Sequence, residues 1–144
     1  MESIYKNIVI AVDGSDAAEK AFKRSIDVAK QNDAKLIIAH VVDTRSFATI
    51  EVYDANIYER AEEEGKKLLA DYEQQAKEAN VSEIKTVLKY GSPKTVIHKE
   101  ILPEEEADLV MIAATGLNAV ERFVIGSVSE RTARYAECDV LIVK

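Results

Sequence analysis

Apolar residues along this 144-residue chain come in two kinds of block that alternate, short solid runs and longer stretches with three- and four-residue spacing. Tyr5 to Val12 is a run rich in Ile and Val, closed by Asp13-Gly14-Ser15; its length and lack of polar alternation predict a strand buried on both faces. Lys35 to Val42 (KLIIAHVV), Leu109 to Ala113 (LVMIA) and Val140 to Val143 (VLIV) have the same character, and Ile84 to Tyr90 alternates enough to be a further strand. Between these runs the period changes. Ala18, Phe22, Ile26 and Ala29 keep helical spacing behind Ser15 or Asp16 as a cap with Glu19, and Asn32-Asp33 ends that helix. Ile57, Ala61, Leu68, Leu69, Tyr72 and Ala76 form one face of a long amphipathic helix reaching Glu78. Gly91-Ser92-Pro93 supplies a turn, an N-cap and a proline preset for a third helix running to about Leu102, and a last helix starts near Ser127. The loop from Asp43 to about Asp54 has no clean period.

Strands alternating with helices call for parallel pairing through right-handed crossovers. The expected fold is therefore α/β, a single domain over residues 1–144, with an open parallel five-stranded sheet and helices on both faces. Ligands of such sheets sit in the crevice beyond the carboxyl ends of the strands, where strand order reverses. The loops at that edge are Asp13-Gly14-Ser15, Val42-Asp43, Gly91-Ser92 and Ala114 to Ser127.

Charge narrows the ligands. The net charge of −7 sets a field that repels nucleic acid and anionic lipid. No apolar run approaches the roughly 20 residues that span a bilayer, and Met1-Glu2-Ser3 leads almost directly into the first strand without a signal-peptide pattern. No nucleic-acid or membrane partner is expected, and the location is expected to be cytoplasmic. The single cysteine, Cys138, excludes an intrachain disulfide and reads as a small hydrophobe at a helix-strand junction. His40 in an apolar strand and His98 on a helix have no companion ligands in sequence, so both read as structural. Glu104-Glu105-Glu106 reads as a solvated turn, and the six tyrosines form no stacking platform.

The chemistry concentrates between Ala113 and Ser129. After the fourth strand come Ala113-Ala114-Thr115-Gly116, the nine residues LNAVERFVI, and Gly126-Ser127-Val128-Ser129-Glu130. Gly116 and Gly126 open backbone conformations closed to other residues and let main-chain N–H groups approach a ligand. The helix starting at Ser127 aims its free N–H groups and positive dipole end at the ligand edge, which makes an anion site from backbone alone. Hydroxyls of Ser127 and Ser129 would add bonds to phosphate oxygens. The plainer alternative is that Ser127 to Glu130 is an S-x-x-E capping box and Gly116 serves a tight turn. Asp13 is open in the same way: its carboxylate would accept ribose hydroxyls or hold a phosphate-bound Mg²⁺ through water, or it closes an Asx-turn. Arg122, beside Glu121, reads as a surface residue within reach of phosphate.

The spacing of Gly116, nine residues and Gly126-Ser127 resembles the G-x2-G-x9-G-[ST] signature of ATP-binding members of the universal stress protein family. The resemblance is chain-wide: IVIAVDGSD, HVVD, the GSP turn, ADLVMI, TGLNAVERFVIGSVSER and CDVLIVK stand in family order. It implies a Rossmann-like, adenine nucleotide alpha hydrolase-like fold that binds ATP, with Mg²⁺, as a nucleotide-dependent stress-response sensor or interaction module. Adenine and ribose would lie against Ala11, Val12, Asp13 and Val41; Gly116, Gly126, Ser127 and Ser129 would contact the phosphates, with Ala113 and Val128 also in the binding site. It also implies a homodimer through the C-terminal strand. Ala113 departs from the signature's first glycine; an extended backbone there tolerates the methyl, whereas a left-handed one costs roughly 1 to 2 kcal/mol.

Rival readings lack their residues. A phospho-receiver needs an acceptor aspartate where this chain has Lys89-Tyr90-Gly91; a flavodoxin needs a hydroxyl-rich loop in place of Asp13-Gly14-Ser15; a Walker ATPase needs a lysine after Gly126. A slow ATP hydrolase and a nucleotide-free structural dimer remain as alternatives. No residue beyond Asp13 stands out as catalytic machinery.

Overall fold

A computed structural model of the chain describes residues 3–47, 55–116 and 125–144. The strands are β1 (Asn7–Ala11), β2 (Lys35–Asp43), β3 (Glu83–Gly91), β4 (Leu109–Ala113) and β5 (Asp139–Val143). They form one parallel sheet in the order β3-β2-β1-β4-β5. The chain moves outward from β1 to β3, then crosses back to lay β4 on the other side of β1. Strand order thus reverses between β1 and β4, and a crevice opens beyond their carboxyl ends.

Both sheet faces are buried, which explains the solid apolar runs. Ile8, Ile10, Leu36, Ile38 and Met111 pack on one side with Phe22, Leu69 and Tyr72 of α1 (Asp16–Asn32) and α2 (Ala55–Glu78). Val9, Ile37, Val110 and Ile112, one residue out of phase, pack on the other with Val96, Ile97, Ile101 and Leu102. Ser15 caps α1, its hydroxyl accepting the Ala18 N–H at 3.1 Å.

Three expectations need correction. β1 is shorter than Tyr5 to Val12, because the Asp108 carboxylate takes the Lys6 and Asn7 N–H groups at 2.8 and 3.0 Å, while Tyr5 turns aside to donate its hydroxyl to Asp139 at 2.9 Å. The third helix, expected to run to about Leu102, ends at Glu104 and is not one regular α-helix. It is α-helical over α3 (Pro93–Val96), widens into a π turn over Ile97–Ile101 and resumes as α4 (Leu102–Glu104). Pro103 has no N–H to return to the preceding turn, and the Leu102 N–H reaches back to the Ile97 carbonyl instead, an arrangement that admits proline without ending the helix. Nor is the acidic triplet simply solvated: Glu105 meets Lys85 at 2.7 Å and Glu104 meets Lys89 at 2.8 Å, tying the helix end to β3.

Gly65 in α2 lets this helix approach the sheet. A Cβ there would lie 3.0 Å from Leu88 Cδ1 and 3.2 Å from His40 Cδ2. The His40 ring is held at 2.8 Å by the Val12 carbonyl and has little room to yield. Gly65→Val is expected to destabilise by about 2 kcal/mol, overpacking outweighing the few tenths gained in helix propensity; a lower urea midpoint at unchanged slope is the measurement.

Candidate functional site

Beyond the carboxyl ends of β1, β2 and β4 lies a cavity of about 950 Å³. All ten residues singled out from the sequence, Ala11, Val12, Asp13, Val41, Ala113, Gly116, Gly126, Ser127, Val128 and Ser129, line it. Asp43 and Thr115, from loops the sequence placed at this edge, also contribute, as do His40, Arg45, Glu64, Gly65, Leu68 and Pro93, which sequence reasoning did not assign to the site. Gly65 had a readable signal. It falls four residues after Ala61 on the apolar face of α2, where glycine costs about 1 kcal/mol relative to alanine and so marks a close approach. Arg122 and the segment 117–124 lie outside the described residues, as does 48–54 of the loop that follows β2; that loop begins with a 3₁₀ turn, Thr44–Phe47.

Val12 is fixed from both sides. Its N–H donates to the Ala39 carbonyl at 2.9 Å, and its carbonyl pairs with His40 Nδ1 at 2.8 Å, so the start of the following loop cannot drift from β2. The ring then carries its proton on Nδ1. Asp13 serves two masters: Oδ1 accepts the Ser15 N–H at 2.9 Å in an Asx-turn, while Oδ2 lies where a side chain on Gly116 would be, 2.8 Å from an added Cβ. The glycine is therefore needed for space. That corrects the expected use of glycine freedom, since Gly126 has φ −64° and positive φ among the glycines belongs to Gly14 and Gly91. Gly126 is likewise crowded: its N–H donates to the Ala114 carbonyl at 2.6 Å, and an added Cβ would stand 3.3 Å from the same oxygen.

Gly126 is the N-cap of α5 (Ser127–Tyr135), and no side chain caps that end. The capping-box alternative fails, because Ser127 is already helical and Glu130 is turned to Arg134 at 2.6 Å. The first-turn N–H groups thus face the cavity without a protein partner from a side chain. Ser129 departs from expectation in another way. Its hydroxyl is buried and donates to the Ala113 carbonyl, tying α5 to the end of β4, so its proton is spent within the protein and Ser127 retains the exposed hydroxyl.

At the other end of the cavity Arg45 grips Asp43 through two side-chain bonds of 2.9 and 2.6 Å. Chiefly through that contact, the guanidinium holds the Asp43 carboxyl below its ordinary range, and Asp43 raises Arg45 in turn. Both remain ionised near neutrality and cancel most of each other's field. Among the described residues no group of three or more His, Cys, Asp or Glu is arranged to hold a metal ion. No helix there is long and apolar enough to cross a membrane.

The same architecture recurs in solved structures. The universal stress protein UspA from Lactobacillus plantarum superposes with a TM-score of 0.80 at 27% identity, over 97% of this chain and 98% of that one. A universal stress protein solved in complex with cAMP superposes at 0.72 with 30% identity, over 99% and 98%. A protein of Staphylococcus aureus strain USA300, named as a universal stress protein, is 51% identical over 97% of this chain and 84% of its own length. The profile of the universal stress protein family matches residues 4–144. The chain belongs to this family.

As a universal stress protein it keeps alanine where the ATP-binding signature begins with glycine. Ala113 is buried in β4, extended, and pairs with Val143. No left-handed backbone is asked of it. Ala113→Gly is therefore expected to leave ligand affinity within about twofold while costing about 0.5–1 kcal/mol through added backbone entropy; isothermal titration and urea unfolding separate the two effects.

Proposed function

We propose that the chain binds an adenine nucleotide, ATP with Mg²⁺, and works in the cytoplasm as a nucleotide-dependent stress-response sensor or interaction module. One observation carries this: at the reversal point of the sheet, the uncapped start of α5 and the Asp13–Gly116 contact open on the same cavity. N–H groups at a helix start suit phosphate. Asp13 Oδ2 suits ribose hydroxyls, and the apolar surfaces of Ala11, Val12 and Val41 suit a purine face. The relative holding cAMP supports an adenine mononucleotide on this fold.

Magnesium would arrive on the phosphates. It is commonly held by one or two carboxylates, phosphate oxygens and retained waters, and Asp13 provides one such carboxylate. The ion would neutralise phosphate charge. Among the described residues, the other carboxylates lining the cavity are Asp43 and Glu64, which belong to β2 and α2 on the far side of β1. This supports binding over hydrolysis.

Mg-ATP at ~100 times its dissociation constant is expected to add about 2.7 kcal/mol, raising the melting temperature by several degrees. A flat thermal-shift curve at millimolar Mg-ATP, with AMP and cAMP equally silent, would sink the reading; a shift with cAMP or AMP alone would reassign the nucleotide. We place the homodimer contact on β5. It is an edge strand whose Val140, Leu141 and Ile142 are only half-buried in one chain. Light scattering at twice the chain mass is the expected result.

A further inference from the structure

Among the described residues of the helical layer containing α3, the π turn and α5, three acids are ion-paired but not all the bases are. Glu104 and Glu105 are drawn to Lys89 and Lys85 on β3, Glu130 is drawn to Arg134, and Glu100 adds to the field at Lys89. Lys99 and Arg131 have no ion-pair partner among the described residues. Beside them His98 stacks on Tyr135, centroids 5.2 Å apart and planes 27° apart, and the Arg131 guanidinium stands 5.4 Å from the centre of the same tyrosine ring. Tyr135 is 49% exposed. Packing of α3 and the π turn against α5 brings the four residues together. The local field is positive: after burial, Lys99 and Arg131 are what hold the His98 ring below its ordinary value, with a bond to the Lys94 backbone opposing them.

We propose that this face docks a short acidic segment of a protein partner, its carboxylates meeting Lys99 and Arg131 and an apolar or aromatic side chain covering Tyr135. In a chain of net charge −7 this cationic patch is a local exception, and charge complementarity selects the occupant. Beyond a Debye length of about 8 Å the acidic remainder is screened, so a short segment senses chiefly the patch. A long nucleic acid would run past it onto acidic surface. Tyrosine and arginine together, partly desolvated, are the residue types that anchor such contacts.

The test uses the full chain labelled with ¹⁵N and titrated with a short synthetic peptide rich in Glu with Phe interspersed. Saturable amide shifts confined to residues 94–101 and 131–136 are expected, together with at least about fivefold weaker binding for Arg131→Gln or Lys99→Gln, two substitutions that remove charge without adding bulk. Tyr135→Ala should weaken binding as well. Lys23→Gln, on the exposed side of α1, changes net charge equally and should leave binding intact. Four outcomes would overturn the proposal: no saturable shifts, shifts centred elsewhere, equal binding by a peptide with Gln in place of Glu, or tighter binding of a single-stranded oligonucleotide at the same amides. A mass in light scattering that falls in Arg131→Gln would instead assign the face to a second copy. None of these readouts depends on nucleotide, so the proposal stands or falls apart from the ATP reading.

Discussion

Gly116→Ala is expected to weaken adenine-nucleotide binding at least about tenfold and to cost about 1–3 kcal/mol of stability, the range typical of an overpacked contact. The cause is one distance: the new methyl would stand 2.8 Å from Asp13 Oδ2, closer than real Cβ atoms come to their neighbours. Asp13 cannot simply swing away, because its other oxygen holds the Ser15 N–H that opens α1. Either the carboxylate leaves the cavity wall or the Thr115-Gly116 backbone retreats from it, and both changes misplace groups the ligand needs. A second substitution separates crowding from chemistry. In the Gly116→Ala background, Asp13→Ala removes the clashing oxygen, so the double variant should recover part of the stability but none of the affinity. Isothermal titration with Mg-ATP and urea unfolding give the two numbers. Wild-type affinity in the single variant would mean that the Asp13–Gly116 contact plays no part in binding.

That contact also shows what the sequence could and could not convey. Solid runs such as Leu36 to Val42 and Leu109 to Ala113 are legible as strands because a parallel sheet covered on both faces permits no polar alternation. Parallel pairing, which the alternation of strands and helices implies, brings Asp13 to the same edge as Gly116; the strand order, and so the reversal between β1 and β4, is not fixed by crossover handedness and is read from the structure. The reason for Gly116 was not legible: a glycine kept for φ and one kept for space look identical until the neighbour is known. Ser129 was misread for a related cause. Its hydroxyl is one turn from the helix start, but whether it faces ligand or the Ala113 carbonyl depends on how α5 seats against β4. The continuation past Pro103 was hidden too, since a proline normally argues against helix and the π turn over Ile97–Ile101 that accommodates it has no signature in the sequence. His40 read as a core residue, and its bond to Val12 across twenty-eight positions has no local signature.

Ser127→Asp should move stability and function in opposite directions. An acidic side chain in the first turn complements the helix dipole, and α5 starts without any side-chain cap, so the substitution should stabilise by about 0.3–1 kcal/mol. Phosphate meets the same position with the opposite result. A fixed carboxylate about 4 Å from a phosphate oxygen repels it by up to ~4 kcal/mol at an effective dielectric near 20. Ser127 is exposed, so solvent screens part of that, leaving roughly 2–3 kcal/mol and a loss of about 30- to 150-fold in affinity. Raising salt should recover some of the loss, whereas adenosine, which carries no phosphate, should bind the variant and the wild type alike. A variant that is as stable as wild type, or more so, yet blind to ATP cannot be explained by damage to the fold. If Ser127→Asp keeps its ATP affinity, the phosphates do not sit at the start of α5, whatever else the cavity holds.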